Sequence, residues 1–273
     1  MITFTPKRPF NVPVDAGMIT PDVLASKTLD EINAVPVFEG NRRREVADLF
    51  KVEWDAASSG DEAIRLTGDL THLKRIGAKM SHGRILAEGS VGMRLGEDLR
   101  GGLITVTGNA DSWIGTRMKG GQIEVLGHGG DYLGAAYRGS ADGMEGGTIV
   151  IHGDAGSEVG CFMRNGLIQV HGNIGSFAGI HMSDGTILVE GDSAGRLGAQ
   201  MRGGKIVVLG QIPSILPTFE VNGLRRSVSV GEARLTGPFY LFNGDLAERG
   251  EGRLYVSQAK NPHLHVYERY LPS

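Results

Sequence analysis

The segment ITVTGNADSWIGTRMKGG (104–121) decides how this chain folds, because it recurs. Variants of it are ILAEGSVGMRLGEDLRGG (85–102), IVIHGDAGSEVGCFMRNG (149–166), IQVHGNIGSFAGIHMSDG (168–185) and ILVEGDSAGRLGAQMRGG (187–204). Ile85, Ile104, Ile123, Ile149, Ile168, Ile187 and Ile206 follow one another at 19-residue intervals, with one 26-residue step between Ile123 and Ile149. That step holds a seven-residue insertion within AAYRGSADGM (135–144). Two more ladders keep the register: Gly77, Gly96, Gly115, Gly134, Gly160, Gly179 and Gly198, and Met80, Leu99, Met118, Met144, Met163, Met182 and Met201. The stretch IRLTGDLTHLKRIGAKMSHG (64–83) is a first, irregular rung with two extra residues.

Each unit reads apolar, variable, apolar, variable, Gly. In ITVTG the alternation points Ile104 and Val106 inward and Thr105 and Thr107 outward, as in a strand. The glycines mark corners, where positive φ or close backbone approach is needed. One such coil cannot bury its inner face alone, but stacked coils share a continuous core. The expected fold is all-β: a right-handed parallel β-helix of about seven 19-residue coils, with irregular caps at both ends. At about 4.8 Å per step the coils would span about 29 Å. A left-handed hexapeptide helix needs units of six, and a leucine-rich repeat needs an asparagine and leucine ladder that is missing.

The expected division is an N-terminal extension (1–63), the glycine-rich helix (64–210) and a C-terminal extension (211–273). The first contains a short helical candidate, SKTLDEINAV (26–35), with Ser26 or Thr28 as N-cap. After Gly210, IPSILPTFEVNG looks like a loop leading into irregular strands, and 237–271 includes two strand-like runs.

Composition narrows the function. Glycine stands at 43 of 273 residues, about twice the roughly 7% of ordinary proteins, but without the strict period of collagen. A formal net charge of -3 gives no general attraction to nucleic acid or an anionic membrane. One cysteine, Cys161, excludes a disulfide framework or a cysteine-rich metal site within the chain. The opening MITFTPKRPFNVPV lacks an apolar signal core, and no apolar run approaches the ~20 residues of a membrane helix, so a cytoplasmic location is expected.

A search for chemistry finds no G-x-x-x-x-G-K-[ST] and no strict G-x-G-x-x-G; GHGGDYLG (127–134) is one more corner. His152 and His171, with Glu190 on the next coil, have a spacing that could catch a divalent metal, or form only a stacked surface ladder. Cys161 takes a place filled elsewhere by Thr116, Ala135, Ile180 and Ala199, which reads as packing rather than nucleophile. Arg100, Lys119, Arg164 and Arg202 share an outer stripe with Glu145, without the paired carboxylates of an acid–base hydrolase. No catalytic, cofactor-binding or metal-binding residues are therefore assigned.

One surface pattern is sharper. Arg75, Arg94, Trp113, Tyr132, Glu158, Phe177 and Arg196 alternate with inward residues and are expected to face out. Trp113, Tyr132 and Phe177 flanked by Arg94 and Arg196 have the make-up of an interface core with a charged rim. The other reading is that the chain's own ends fold over this face.

The opening TPKRPFNVPVDAGMITPDVLASKTLDEINAVPVFEGNRRREVADLFKVE, followed by the glycine coils, resembles the C subunit of formylmethanofuran dehydrogenase over most of the chain. The coils alone also resemble the C-terminal domain of the glutamate synthase large subunit; the N-terminal segment separates the two. The ending NGDLAERGEGRLYV is more similar to the bacterial relative, the C subunit of the formyltransferase/hydrolase complex of methylotrophs. The resemblance implies a non-catalytic scaffold for an amidohydrolase-like A subunit, a B subunit and a formyltransferase D subunit. Their joint reaction would pass formyl from formyl-tetrahydromethanopterin to a furan carrier (methanofuran or methylofuran) and hydrolyse it to formate. It implies no cofactor in this chain; a metal-dependent hydrolase site and the furan carrier belong to partners, and in the archaeal enzyme a molybdopterin or tungstopterin centre to the B subunit. The C subunit of an archaeal dehydrogenase and a stand-alone glutamate synthase domain stay open as alternatives.

Overall fold

The computed structural model describes residues 1–55 and 63–271. The N-terminal part runs β1 (Ile2–Pro6), β2 (Val14–Asp15), α1 (Pro21–Leu24), α2 (Leu29–Asn33), β3 (Pro36–Glu39), β4 (Arg42–Glu45), α3 (Val46–Leu49) and β5 (Phe50–Trp54). The repeat supplies β6 (Ala63–Leu66), β7 (Leu73–Lys74), β8 (Arg84–Ala87), β9 (Leu103–Val106), β10 (Gln122–Val125), β11 (Thr148–Ile151), β12 (Leu167–Val170), β13 (Thr186–Val189) and β14 (Lys205–Val208). The C-terminal part adds β15 (Glu220–Val230), β16 (Ala233–Gly244), β17 (Gly252–Ser257) and a 3₁₀ segment, Pro262–Tyr270.

The repeat strands pair in parallel, equivalent residue on equivalent residue, so that Ile85, Ile104, Ile123, Ile149, Ile168, Ile187 and Ile206 form one column. All seven are buried, as is the Met80–Met201 ladder. The seven-residue insertion leaves the pairing intact: Ile123 still faces Ile149. Isolated bridges, Leu70–Val91–Ala110–Gly129 and Ala155–Ile174–Ser193, build a second wall of each coil. Gly115 shows why its ladder is glycine. Its φ is +65°, and a Cβ there would lie 2.4 Å from Ile149 Cδ1.

A third feature holds the coils together and is absent from the apolar pattern. The residue after the strand-ending glycine carries a side-chain acceptor that takes the backbone N–H of its equivalent on the next coil. Asn109 Oδ1 accepts from His128 (2.8 Å), Asp154 Oδ1 from Asn173 (2.7 Å), Asn173 Oδ1 from Asp192 (2.8 Å) and Asp192 Oδ1 from Gln211 (2.7 Å). Each bond satisfies a corner N–H that strand pairing leaves over.

The stack extends past the 19-residue period. β1 pairs in parallel with β6, and β17 with β14, so ten successive strands run parallel. Antiparallel neighbours close both ends: β5 on β1, and the β16–β15 pair on β17. This satisfies sheet edges that a bare terminal coil would leave open. The helical candidate is α2, capped by Thr28 and Glu31 in a reciprocal capping box. The C-terminal hairpin also corrects the outward assignment of two repeat positions. Leu188 and Val207 are buried beneath Val228, Val230 and Phe239 in a small second core. Among the described residues no helix is long and apolar enough to cross a membrane.

Ile168→Asp places a carboxylate in the middle of the isoleucine column with no partner in reach. It is expected to cost several kcal/mol, whereas Ile168→Val should cost about 0.5–1.5 kcal/mol. Thermal melts of both variants check this; an aspartate variant melting like wild type would contradict the column.

Candidate partner-binding site

The ladder Arg75, Arg94, Trp113, Tyr132, Glu158, Phe177 and Arg196 lies at a corner of the coil and not on a strand. All seven residues have φ between 57° and 71°, the left-handed region that bulky L-residues rarely occupy. From Arg75 to Phe177 the conformation turns the N–H along the stack: Trp113 N–H donates to Asp131 O at 2.9 Å, Tyr132 to Ser157 O at 2.9 Å and Phe177 to Gly195 O at 3.1 Å. The outward direction of these side chains thus comes from the corner conformation, and alternation along a strand is not its cause.

The corner gathers the predicted residues into two groups. Trp113 and Tyr132 stack with centroids 4.3 Å apart and planes 11° apart. Phe177 stands away from them, because Glu158 occupies the intervening coil, and the Arg196 guanidinium lies over its ring at 5.1 Å. The aromatic row is therefore interrupted.

The segment that folds over this face is the insertion, not a chain end. Tyr137 lies against Trp113 at 5.3 Å, with the guanidinium of Arg94 over its ring at 5.1 Å and that of Arg117 at 5.4 Å. Its hydroxyl donates to Glu97 Oε1 at 2.7 Å. Burial, then this bond to Glu97, pushes the Tyr137 hydroxyl well above the ordinary phenol range. Glu97 is buried, although other coils carry Ala78, Thr116, Ala135, Cys161, Ile180 or Ala199 in its place. It is matched by Arg75 Nε at 2.6 Å, and Arg75 Nη1 reaches Asp15 Oδ2 of β2 at 2.9 Å. The N-terminal segment, the early coils and the insertion thus meet at one carboxylate. This lone acid in a column of uncharged residues is the signal in the sequence that marks the network.

Beside the insertion, a pocket of about 270 Å³ separates Trp113, Tyr132 and Tyr137 from a second stack, Phe162 on His181 at 4.4 Å. Arg138 rims it, with Nη2 donating to Tyr132 Oη at 3.1 Å. Cys161 lies at its base; burial, then Glu158, pushes the thiol up to about 12. The other candidates engage one another. His152 Nε2 meets Glu124 Oε1, and His171 Nδ1 meets Glu190 Oε1, each at 2.9 Å, so the two imidazoles take different carboxylates. Among the described residues, no three His, Cys, Asp or Glu side chains converge on one point. Three of the four basic residues of the outer stripe are tied down within the chain, by Lys119–Glu145, Arg164–Asp142 and Arg202–Glu248 pairs at 3.7, 2.6 and 3.3 Å.

Two outcomes are expected. Tyr137→Phe should leave Glu97 short of a donor and loosen the insertion, at a cost of about 1 kcal/mol, seen as faster amide exchange over 136–143. At pH 8 roughly one thiol in 10⁴ would be ionised for a pKa near 12, so Cys161 should resist iodoacetamide until the chain unfolds. The sign for stability follows. The unfolded thiol ionises first, so the Cys161 contribution is full below about pH 8.5 and declines as pH rises towards 12. Rapid labelling of the folded chain would contradict the burial.

No protein-family model matches the chain. It is 58% identical over 265 residues to the C subunit of the tungsten-containing formylmethanofuran dehydrogenase 2 of Methanothermobacter thermautotrophicus, covering 96% of this chain and 98% of the relative. The C subunit of the molybdenum-containing formylmethanofuran dehydrogenase 1 of Methanosarcina barkeri is 41% identical over 95 residues, 34% of this chain and 32% of the relative. Among solved structures, the formyltransferase/hydrolase complex (FhcABCD) from Methylorubrum extorquens, crystallised with methylofuran, contains a chain that matches with a TM-score of 0.83 and 32% identity, over 93% of this chain and 99% of that one. The resemblance carried by the N-terminal segment and the coils is thereby established, and the chain belongs to the family of formylmethanofuran dehydrogenase C subunits.

Proposed function

We propose that this chain is the non-catalytic scaffold subunit of a formyltransferase/hydrolase complex that takes formyl-tetrahydromethanopterin to formate through a formylated furan carrier. The observation that carries the reading is the match over 99% of a chain that works inside the Methylorubrum extorquens complex. The partners are then an amidohydrolase-like A subunit, a B subunit and a formyltransferase D subunit. The metal site and furan carrier belong to those subunits, and the location is the cytoplasm. The coils wind right-handed, as parallel crossover connections almost always do. Arg94, Trp113, Tyr132, Phe177 and Arg196 form part of a contact with a sibling. Bulky residues held in the left-handed region at one corner are more expensive than the asparagine or glycine that would serve a turn, which favours a role for the side chains themselves.

A second reading has its own support. The 58% identity to a subunit of a tungsten-containing dehydrogenase favours an archaeal-type formylmethanofuran dehydrogenase assembly. The two part on what the partners contain.

Purification of the tagged chain from its native host is expected to recover an amidohydrolase-like subunit and a formyltransferase, with formyl transfer and formate release. The isolated chain should show neither activity. Stoichiometric tungsten or molybdenum with viologen-linked oxidation would select the second reading, and recovery of the chain without siblings would reject both.

A further inference from the structure

The corner carries more guanidinium than its acids use. Arg75 pairs with Asp15 and Glu97, and Arg117 with Asp98 at 2.6 Å. Arg94, Arg138 and Arg196 differ. Each is exposed, each lies over an aromatic ring (Tyr137, Tyr132 and Phe177, at 5.1, 6.0 and 5.1 Å), and among the described residues none has a carboxylate within salt-bridge distance, although Glu158 acts on Arg138 from farther off. On the corner ladder, Glu158 is the sole acid against Arg75, Arg94 and Arg196.

A guanidinium lying on a ring loses rotamer freedom yet keeps N–H groups open to a carboxylate; Arg138 already donates Nη2 to Tyr132 Oη at 3.1 Å and offers its remaining N–H groups. Arg94 and Arg196 are five coil steps apart (94, 113, 132, 158, 177, 196), or about 24 Å at about 4.8 Å per step, the reach of about seven residues of extended chain. Arg138, on the insertion, stands between them.

We propose that this corner docks an acidic, extended segment of a partner protein, whose carboxylates meet Arg94, Arg138 and Arg196 while apolar side chains between them rest on Trp113, Tyr132 and Phe177. This rests on reading the corner as a sibling contact and adds the chemistry of the sibling's surface. Charge complementarity decides for an acidic occupant over an apolar one: three guanidiniums facing an apolar partner would be covered without acceptors.

The test uses the full-length tagged chain co-expressed with its sibling subunits. In one variant Arg94→Gln, Arg138→Gln and Arg196→Gln are combined; in a second the same three become lysine; a third is Phe177→Ala. The glutamine variant, melting like wild type, is expected to hold siblings on the order of tenfold more weakly at low salt, with a flatter salt dependence. The lysine variant should retain them, and a carbodiimide should couple the new lysines to aspartate or glutamate of a sibling. If glutamine changes neither retention nor salt dependence while Phe177→Ala releases a sibling, the contact stands and the acidic partner is refuted. If neither variant has any effect, the contact itself is refuted. Should the glutamine variant fail to fold, the lysine variant decides: an intact complex with no coupling at the three positions, or coupling only to Glu158, overturns the proposal.

Discussion

Parallel pairing of equivalent residues is the constraint on which this chain depends. Each coil must return its isoleucine to the height of the next, because strand hydrogen bonds and the buried column are registered together, as Ile104–Ile123–Ile149 shows. A shift of one residue would turn the apolar face outward. Length can change only where neither strand nor column runs. The seven extra residues after Ala135 meet this condition: Met144 still donates its N–H to Gly134 O at 2.8 Å and keeps its place in the methionine ladder. The insertion therefore bulges from the corner without disturbing the core. This is also where a solenoid can acquire a surface of its own.

The buried carboxylate of Glu97 sets where that bulge lies. A charge taken out of water is a net gain only when its partners are well placed. Here the donors come from two parts of the chain, Arg75 from the first coil and Tyr137 from the insertion, and the Arg117 guanidinium adds its charge from 3.9 Å. Asp15 extends the network into the N-terminal sheet through Arg75. A buried ionic network is often no more stabilising than apolar packing of the same volume, and breaking it by removing one partner is costly. Its contacts tie the insertion, laid over Trp113, and the N-terminal segment to one carboxylate.

The repeat was legible because its physics is periodic: the columns of isoleucine, glycine and methionine each state a burial requirement every 19 residues. Thr28 as an N-cap was legible for the same kind of reason, since a capping box is local in sequence. The ends were not. β1 meets β6 and β17 meets β14 across long separations with no period to announce them. Leu188 and Val207 sit at positions that alternation sends outward, and only the returning hairpin shows why they are apolar. At the corner, composition revealed the aromatics and arginines of the ladder. Tyr137 and Arg138 escaped because the insertion has no counterpart in other coils, and Glu158 splits the aromatic row in a way that residue type alone does not reveal.

Of the three left-handed positions in each corner, Trp113, Gly115 and Arg117 in one coil, the first two show how the fold separates interior from surface. At Gly115 a side chain would strike the isoleucine of the next coil but one, so the position is closed to variation. Two residues earlier, Trp113 has nearly the same φ, yet its side chain leaves the stack and meets no such wall. The strain there is about 1–2 kcal/mol per residue, and the N–H bond to the neighbouring coil helps offset it. Because that bond comes from the backbone, any side chain that tolerates the strain can occupy the position, and the ladder holds Arg, Trp, Tyr, Glu and Phe. A corner held by main-chain bonds places few demands on the side chains it carries. Stacking of Trp113 on Tyr132, and of Arg196 on Phe177, then limits the rotamer freedom of those side chains. The same register that forbids change in the interior thus also sets the spacing of this outer edge, one side chain per coil.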